Sequence, residues 1–305
     1  MTLAIIANPR SGANRRRPRR LKRLAAQLEG RGTLLCPDGL DALAQVAVTL
    51  ARQAPEVIGI CGGDGTIHQV MTALLAAYGT DRPLPTIALL KGGTMNTIAR
   101  NVGVRSGAER MLRRVLDGPP LPTTARTLMI TDEDRAGFIF GNAGIAHFLE
   151  AYYDGGAGPV TALVVLARCI ASALVGGPYA AEMFRHCQMD LVIDGEPASA
   201  NQFTTLGAAT VADLGFGFRP FYAAPTTPGH IQLIGIGSTP FRFATAVPTI
   251  RLARPIRRDD VIDHLAKTIA LTFRAPLRYT IDGDLYPPRQ SIVLRAGPSV
   301  QFVID

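Results

Sequence analysis

Lysine is nearly missing from this chain. Of 32 basic residues in 305, only Lys22, Lys91 and Lys267 are lysine, and the rest are arginine. Set against 24 acidic residues, they leave a formal net charge of +8. Arginine's planar fork suits phosphate and anionic lipid headgroups, although a GC-rich genome also produces an arginine excess. Aromatic residues are only 6% of the chain. The basic residues are scattered apart from one cluster, and no nucleic-acid-binding motif appears, so nucleic acid is not favoured as a partner. Cys36, Cys61, Cys169 and Cys187 lie far apart with no CxxC pair, and no histidine stands at metal-ligand spacing, which reads as free thiols in a reducing compartment. The first apolar run, Thr2 to Ala7, is too short for a signal h-region and has no basic n-region before it, so no export signal is read. The most apolar stretch, Val160 to Val175, carries Arg168 and falls short of the roughly 20 residues a membrane span needs. It reads as a buried or lipid-facing helix.

What is present is organised around Val57 to Val70. Val57 to Ile60 is a short apolar strand, Gly62, Gly63 and Gly65 permit a tight turn, and Ile67, Val70, Met71 and Leu74 resume at helical spacing. A glycine loop that opens a helix turns backbone N–H groups toward an anion, which the helix dipole also favours, so a phosphate is the expected guest. Asp64 departs from that logic. A carboxylate there fits contact with Mg²⁺ or with a proton to be removed, or a simple helix cap.

Two further loops follow the same plan. After the first strand comes Asn8-Pro9-Arg10-Ser11-Gly12, and after a strand at Thr86 to Leu90 comes Lys91-Gly92-Gly93-Thr94-Met95-Asn96, with Arg100 beyond. Thr94 offers a hydroxyl and a backbone N–H to phosphate. Loops at the carboxyl ends of strands are where an α/β sheet binds ligands, so Asn8, Ser11, Gly12, Gly62, Gly63, Asp64, Gly65, Thr66, Gly93, Thr94 and Asn96 form the candidate nucleotide site. Neither a Walker A element nor a Rossmann fingerprint is present. Helical patterns at Leu21 to Leu28 and Ala42 to Arg52 alternate with the strands, as in a parallel sheet. The Arg15 to Arg23 cluster reads as a solvated helix start or as a contact with anionic lipid.

From about Ala125 the pattern changes to short strands: Leu128 to Thr131, Gly137 to Phe140, Met189 to Ile193, Ile231 to Ile236, Thr268 to Phe273, Arg278 to Ile281, Ile292 to Arg295 and Val300 to Ile304. The expectation is an α/β nucleotide-binding domain over residues 1–124 and a β-sandwich domain over 125–305. Gly118 to Pro122 would link them, the final strand could return to the first domain, and the active site would lie in the cleft between the two.

These elements resemble the diacylglycerol kinase catalytic domain family, which includes bacterial lipid kinases, sphingosine kinases and ceramide kinases. The resemblance rests on Asn8-Pro9-Arg10-Ser11-Gly12, on Gly62-Gly63-Asp64-Gly65-Thr66 and on Gly93-Thr94-Met95-Asn96-Thr97-Ile98-Ala99-Arg100. It continues through Phe140-Gly141-Asn142-Ala143-Gly144 and ends at Ile281-Asp282-Gly283-Asp284. It implies a kinase that uses ATP and Mg²⁺ to phosphorylate a hydroxyl of diacylglycerol, ceramide or a sphingoid base. The enzyme would be cytoplasmic, held peripherally on the inner membrane face, with homodimerisation left open. The resemblance maps the proton acceptor to Asp284, with Asp64 and Asp282 as the other candidates, and Asp64 to the ATP-bound Mg²⁺. Gln69 and Thr97 stand where the family commonly has carboxylates. Ala223 to His230 lacks the acidic residues of a structural Mg²⁺ loop, and Asp194-Gly195-Glu196 reads as a plain hairpin turn. A catalytically silent nucleotide- or lipid-binding relative and an NAD kinase-like enzyme are the alternatives.

Overall fold

The computed structural model describes residues 2–118, 120–156 and 158–305. Pro119, inside the linker read above, lies outside the described residues. The chain divides into two compact units. One comprises Met1–Leu128, Asp134–Gly137 and Gly297–Asp305; the other comprises Met129–Glu133 and Phe138–Ala296.

The first unit alternates strand and helix: β1 (Leu3–Ala7), α1 (Gly12–Arg16), α2 (Arg19–Leu28), β2 (Thr33–Leu35), α3 (Leu40–Gln53) and β3 (Val57–Cys61). It continues with α4 (Asp64–Tyr78), β4 (Thr86–Leu89), α5 (Thr97–Asn101) and α6 (Ala108–Leu116). Every residue of β1 and β3 is buried, as continuous apolar strands must be when helices cover both faces. The strands are parallel in the order β2-β1-β3-β4. From β1 the chain therefore steps to β2 on one side and later to β3 on the other. The carboxyl ends of β1 and β3 flank the point where the winding reverses, which is where an open parallel sheet leaves a crevice. The last residues close this unit. Phe302 lies parallel to Ile87, and Asp305 accepts bonds from the N–H groups of Arg105 and Ser106, both at 2.7 Å.

β5 (Thr123–Thr131) and the short β6 (Ala136–Gly137) come next in the chain. The second unit then holds β7 (Ile139–Ala143), α7 (Gly144–Asp154), α8 (Pro159–Leu174), α9 (Pro178–Met183), β8 (Cys187–Ile193), β9 (Glu196–Pro197), β10 (Gln202–Phe203) and β11 (Thr205–Ala209). It ends with β12 (Ile231–Ile236), α10 (Pro240–Arg251), β13 (Val261–Ala266), β14 (Thr268–Ile281) and the part of β15 (Asp284–Val303) before Gly297, from which the strand belongs to the first unit. Strands β13, β12, β11, β7 and β14 pair antiparallel in that order.

β14 builds the sandwich. Its first half, Ile269 to Phe273, pairs with β8, and its last residues, Tyr279 to Ile281, pair with β7. The pairing with β15 shifts register between Thr272 and Leu277, and Pro276, which cannot donate to a ladder, falls in that irregular stretch. A strand that changes partner at a bulge turns a corner between layers. Phe140, Phe203, Leu233, Phe273, Tyr279 and Leu294 belong to one buried hydrophobic cluster of this unit.

The helix read at 160–175 is α8, and helices α7, α9 and α10, which the sequence reading did not name, accompany it in this unit. α10 begins with Pro240, whose fixed φ suits the first helical position, and the Thr239 hydroxyl accepts from Arg242 N. Pro248 within it hides the helical pattern. The two pairs of short strands read at 268–281 and 292–304 each fall on one long strand, interrupted in the sequence by Pro276, which lies at a register shift, and by Pro298.

Candidate nucleotide site

The loops after β1, β3 and β4 are knitted into one body. Asn8 at the end of β1 donates through Nδ2 to the Thr66 hydroxyl at 3.0 Å, and its Oδ1 accepts from Arg10 N at 2.9 Å. The Ser11 hydroxyl lies 3.0 Å from the Asn8 carbonyl and 2.9 Å from that of Gly92. Ala13 N also donates to Gly92 O, and Gly92 N to Gly62 O, both at 2.8 Å.

Glycine is required where these loops touch. A Cβ on Gly93 would stand 2.3 Å from the Cα of Gly63, and a Cβ on Gly12 would stand 2.3 Å from the Thr94 hydroxyl. Asn96, with φ of 51°, folds back on its own loop: Oδ1 accepts from Gly93 N at 2.9 Å and Nδ2 donates to Gly93 O at 3.1 Å. The polar groups of Asn8, Ser11 and Asn96 are thus engaged within the loops, Gly12 and Gly62 pack on threonine side chains, and Gly93 N already has an acceptor. The first turn of α4, with Asp64, Gly65 and Thr66, carries no side-chain cap, so its N–H groups keep the unmet donor capacity of a helix start.

Asp64 does not project from this loop into solvent. Its half-buried carboxylate accepts from Thr97 N at 2.9 Å and from Ile98 N at 2.8 Å, capping α5 from the start of α4. Burial pushes its acid up from the usual carboxylate value, and the two N–H groups and Arg100 pull the other way. The helix-cap alternative is therefore the observed geometry, with the difference that the capped helix is α5 and not its own. Arg100 itself is exposed.

Two residues that the sequence reading passed over complete the knot. Asn14 is buried and donates from Nδ2 to the carbonyls of Asn8 at 2.9 Å and Cys61 at 3.2 Å. Arg20, within the basic cluster, turns inward to the Lys91 carbonyl. A lone asparagine beside an arginine run gives little sequence signal.

In the second unit, Asp282 and Gly283 have φ of 49° and 92° and join Ile281 to Asp284 as a two-residue hairpin turn. Asp194 and Gly195 repeat those angles between β8 and β9. Buried Asp282 accepts from Phe138 N at 3.0 Å and from Ile139 N at 2.9 Å, fixing the turn to the start of β7. That clamp gives Asp282 an anchoring role. Asp284 is the first residue of β15 and is half-buried, and the hydroxyl of Tyr153 donates to the neighbouring Gly283 carbonyl at 2.7 Å. The loop at Ala223 to His230 is organised by an amide: Gln232 Oε1 accepts from Ala223 N at 2.8 Å, while its Nε2 donates to Asp263 at 2.7 Å. Among the described residues, no group of three His, Cys, Asp or Glu side chains is placed to hold a metal ion.

Residues 2–125 match the model of the diacylglycerol kinase catalytic domain. Over 57 residues the chain is 39% identical to the probable lipid kinase YegS of Escherichia coli strain K12 / DH10B, a stretch covering 19% of this chain and 18% of that protein. The chain thus spans less than a fifth of the length of the curated relatives it matches. A putative diacylglycerol kinase from Bacillus anthracis str. Sterne superposes with a TM-score of 0.73 at 15% identity, over 100% of this chain and 97% of the other. An NAD kinase from Archaeoglobus fulgidus in complex with ATP superposes with a TM-score of 0.52 at 12% identity, over 99% and 93%. At such identities the likeness is one of fold. The chain has the fold shared by diacylglycerol kinases and NAD kinases, and its residues 2–125 are similar to the diacylglycerol kinase catalytic domain.

Proposed function

We propose that the protein is an ATP-dependent lipid kinase, transferring the γ-phosphoryl group to a hydroxyl of diacylglycerol, ceramide or a sphingoid base. The observation that carries the nucleotide half of this reading is the side-chain-free contact of Gly63 with Gly93 beside the uncapped start of α4, at the winding reversal of a parallel sheet. Amides of Gly63, Gly65, Thr66 and Thr94 are the phosphate contacts that this arrangement leaves, and polyphosphate fits a concentration of N–H donors without side chains above them. Asp64 positions the Gly93–Ile98 loop, each of its oxygens accepting one backbone bond. Mg²⁺ enters this reading as the counter-ion that ATP brings with it.

The match of residues 2–125 to the diacylglycerol kinase catalytic domain supports phosphoryl transfer, and the likeness to a probable lipid kinase supports a lipid acceptor. Within the reading, Asp284 takes the proton of the acceptor hydroxyl, on a turn held by Asp282 and Tyr153. The arginine cluster at the start of α2 supports an anionic membrane partner. Exposed Arg19, Lys22 and Arg23 sit in the first half of the helix, where the dipole opposes positive charge, so helix stability does not account for them; Arg20 is engaged with the Lys91 carbonyl. Peripheral attachment to the inner membrane face follows from that reading. Incubation of the purified protein with radiolabelled ATP, Mg²⁺ and dispersed diacylglycerol, ceramide and sphingoid base tests it. Label in the organic phase is expected with one of these lipids; label that stays in ATP with every acceptor would remove the proposal.

A further inference from the structure

α8 is amphipathic in an inverted sense. Val165, Cys169 and Ala173 face inward and pack with Ala180 and Met183 of α9, with Phe148 of α7 and with Ala244 of α10. The opposite stripe, at the spacing i, i+3, i+4, i+7, holds Val160, Leu163, Val164 and Ala167, followed by Arg168, Ala171 and Leu174, and all of these are exposed. Val160 is 73% exposed, Leu163 55% and Val164 58%, and Val175 just past the helix reaches 82%. A surface helix ordinarily turns charged and polar residues outward. Here the outward face is aliphatic, and five large apolar side chains on one stripe form a patch of the kind that marks an interaction site.

The charge around this stripe selects what covers it. From Gly155 to Ala181 the only charged residue is Arg168, whose guanidinium lies 4.2 Å over the ring of Tyr179. α10, packed beside α8, exposes Phe241, and Leu252 is exposed just past its end. Of the five arginines from Pro240 to Arg258, Arg242 and Arg258 pair with Asp260 and Arg251 donates to the Phe216 carbonyl, while Arg254 and Arg257 are exposed. An aliphatic stripe with a tyrosine and arginines beside it, and with no carboxylate on it, matches a bilayer whose headgroups are anionic. A second copy of the chain would bring cations against cations. At 16 residues, α8 is about 24 Å long, shorter than the hydrocarbon core of about 30 Å, and no helix among the described residues is long and apolar enough to cross a membrane.

We infer that the exposed stripe of α8 is a bilayer-docking surface, lying in the membrane plane with Val160, Leu163, Val164 and Leu174 among the acyl chains. Arg168, exposed on the same stripe, then meets anionic headgroups. This extends the lipid-acceptor reading to the place where the protein meets its membrane, and it is separate from the arginine cluster of α2.

The sequence contains no tryptophan, so Leu163→Trp in the full chain reports from this stripe alone. With phosphatidylcholine vesicles containing phosphatidylglycerol, its emission shifts to the blue, and the shift is smaller with phosphatidylcholine alone. Val48→Trp, on the exposed side of α3, stays unshifted. In co-sedimentation, the Leu163→Glu, Val164→Glu double variant partitions at least about tenfold less than the parent, with an unchanged melting temperature. An unshifted Leu163→Trp emission overturns the inference. So does a shift that appears with rising protein concentration in the absence of vesicles, which assigns the stripe to a second copy. The assay contains no ATP. Vesicle binding without label transfer to any lipid would remove the kinase reading alone, and label transfer to dispersed short-chain lipid without vesicle binding would remove the docking surface alone.

Discussion

The backbone N–H of Ile98 points at the carboxylate of Asp64 and donates to it at 2.8 Å, and Thr97 N does the same at 2.9 Å. One side chain thus ties the loop after β3 to the loop after β4. Asp64→Asn turns an amide N–H₂ toward one of those donors, and Asp64→Ala removes both acceptors. Losses of about 1–3 kcal/mol in unfolding free energy are expected, larger for alanine. Urea denaturation of the three proteins measures this. An unchanged midpoint for Asp64→Ala would mean that the loop does not depend on the carboxylate.

Gly93→Ala places a methyl group 2.3 Å from the Cα of Gly63, against backbone that has no rotamer to change. The two loops must separate, and a cost of about 1–3 kcal/mol together with weaker ATP binding is expected. Gly107→Ala is the control, since nothing lies within 4 Å of its Cβ position. Calorimetric titration with ATP and thermal melts of both variants provide the comparison. Equal ATP affinity in Gly93→Ala and the parent would move the phosphates away from this contact.

Asp282 and Asp194 occupy matching places in two hairpin turns and differ in burial. Asp282 is 5% exposed and accepts from Phe138 N and Ile139 N, while Asp194 is exposed and accepts from Lys267 N and Thr268 N. Replacement by alanine strands buried donors at Asp282 and leaves water to replace the carboxylate at Asp194. The expected cost is about 3 kcal/mol at Asp282 and about 1 kcal/mol or less at Asp194. Chemical denaturation distinguishes them, and equal costs would contradict the assignment.

The Arg258 side chain beside Asp260 holds that carboxyl down at about 2, with the Ser238 hydroxyl and Arg242 adding to the effect. The unfolded value is about 3.9. A carboxyl that is more acidic in the folded state stabilises it fully above about pH 5, and this contribution disappears as pH falls through 3.9 toward 2. Because the pair is partly in water, about 1 kcal/mol is expected. Asp260→Asn therefore has a flatter stability profile between about pH 5 and pH 2 than the parent. Parallel profiles would show that the pair contributes nothing.

The three loops were legible in the sequence because each couples an apolar strand to glycines and then to a helical pattern, a signal local to about a dozen residues. Their internal bonding was not. Nothing in Asn8-Pro9-Arg10-Ser11-Gly12 states that the Ser11 hydroxyl lies against the Gly92 carbonyl, 81 residues away, and residues chosen as phosphate contacts prove to be the ones that join loop to loop. Asp64 illustrates the same limit, since the partner that decides its role is 34 residues distant. In the second unit, Asp194-Gly195 and Asp282-Gly283 are the same dipeptide with the same φ values. Only the family resemblance separated them, and the structure gives both aspartates anchoring roles. α10 escaped notice because Pro248 interrupts the pattern that would have announced it.

The most direct test of a lipid kinase is the initial rate of label transfer from radiolabelled ATP to the preferred lipid, for the parent and for Asp284→Ala, with ATP affinity measured alongside. Asp284 begins β15 on a turn whose geometry is held by its neighbours, so its removal leaves the fold and the glycine loops in place. The expected result is transfer by the parent, a rate about 10²- to 10⁴-fold lower in Asp284→Ala, and ATP affinity nearly unchanged. Full transfer by Asp284→Ala would contradict the proton-acceptor role, and no transfer by the parent to any lipid despite tight ATP binding would contradict the kinase itself.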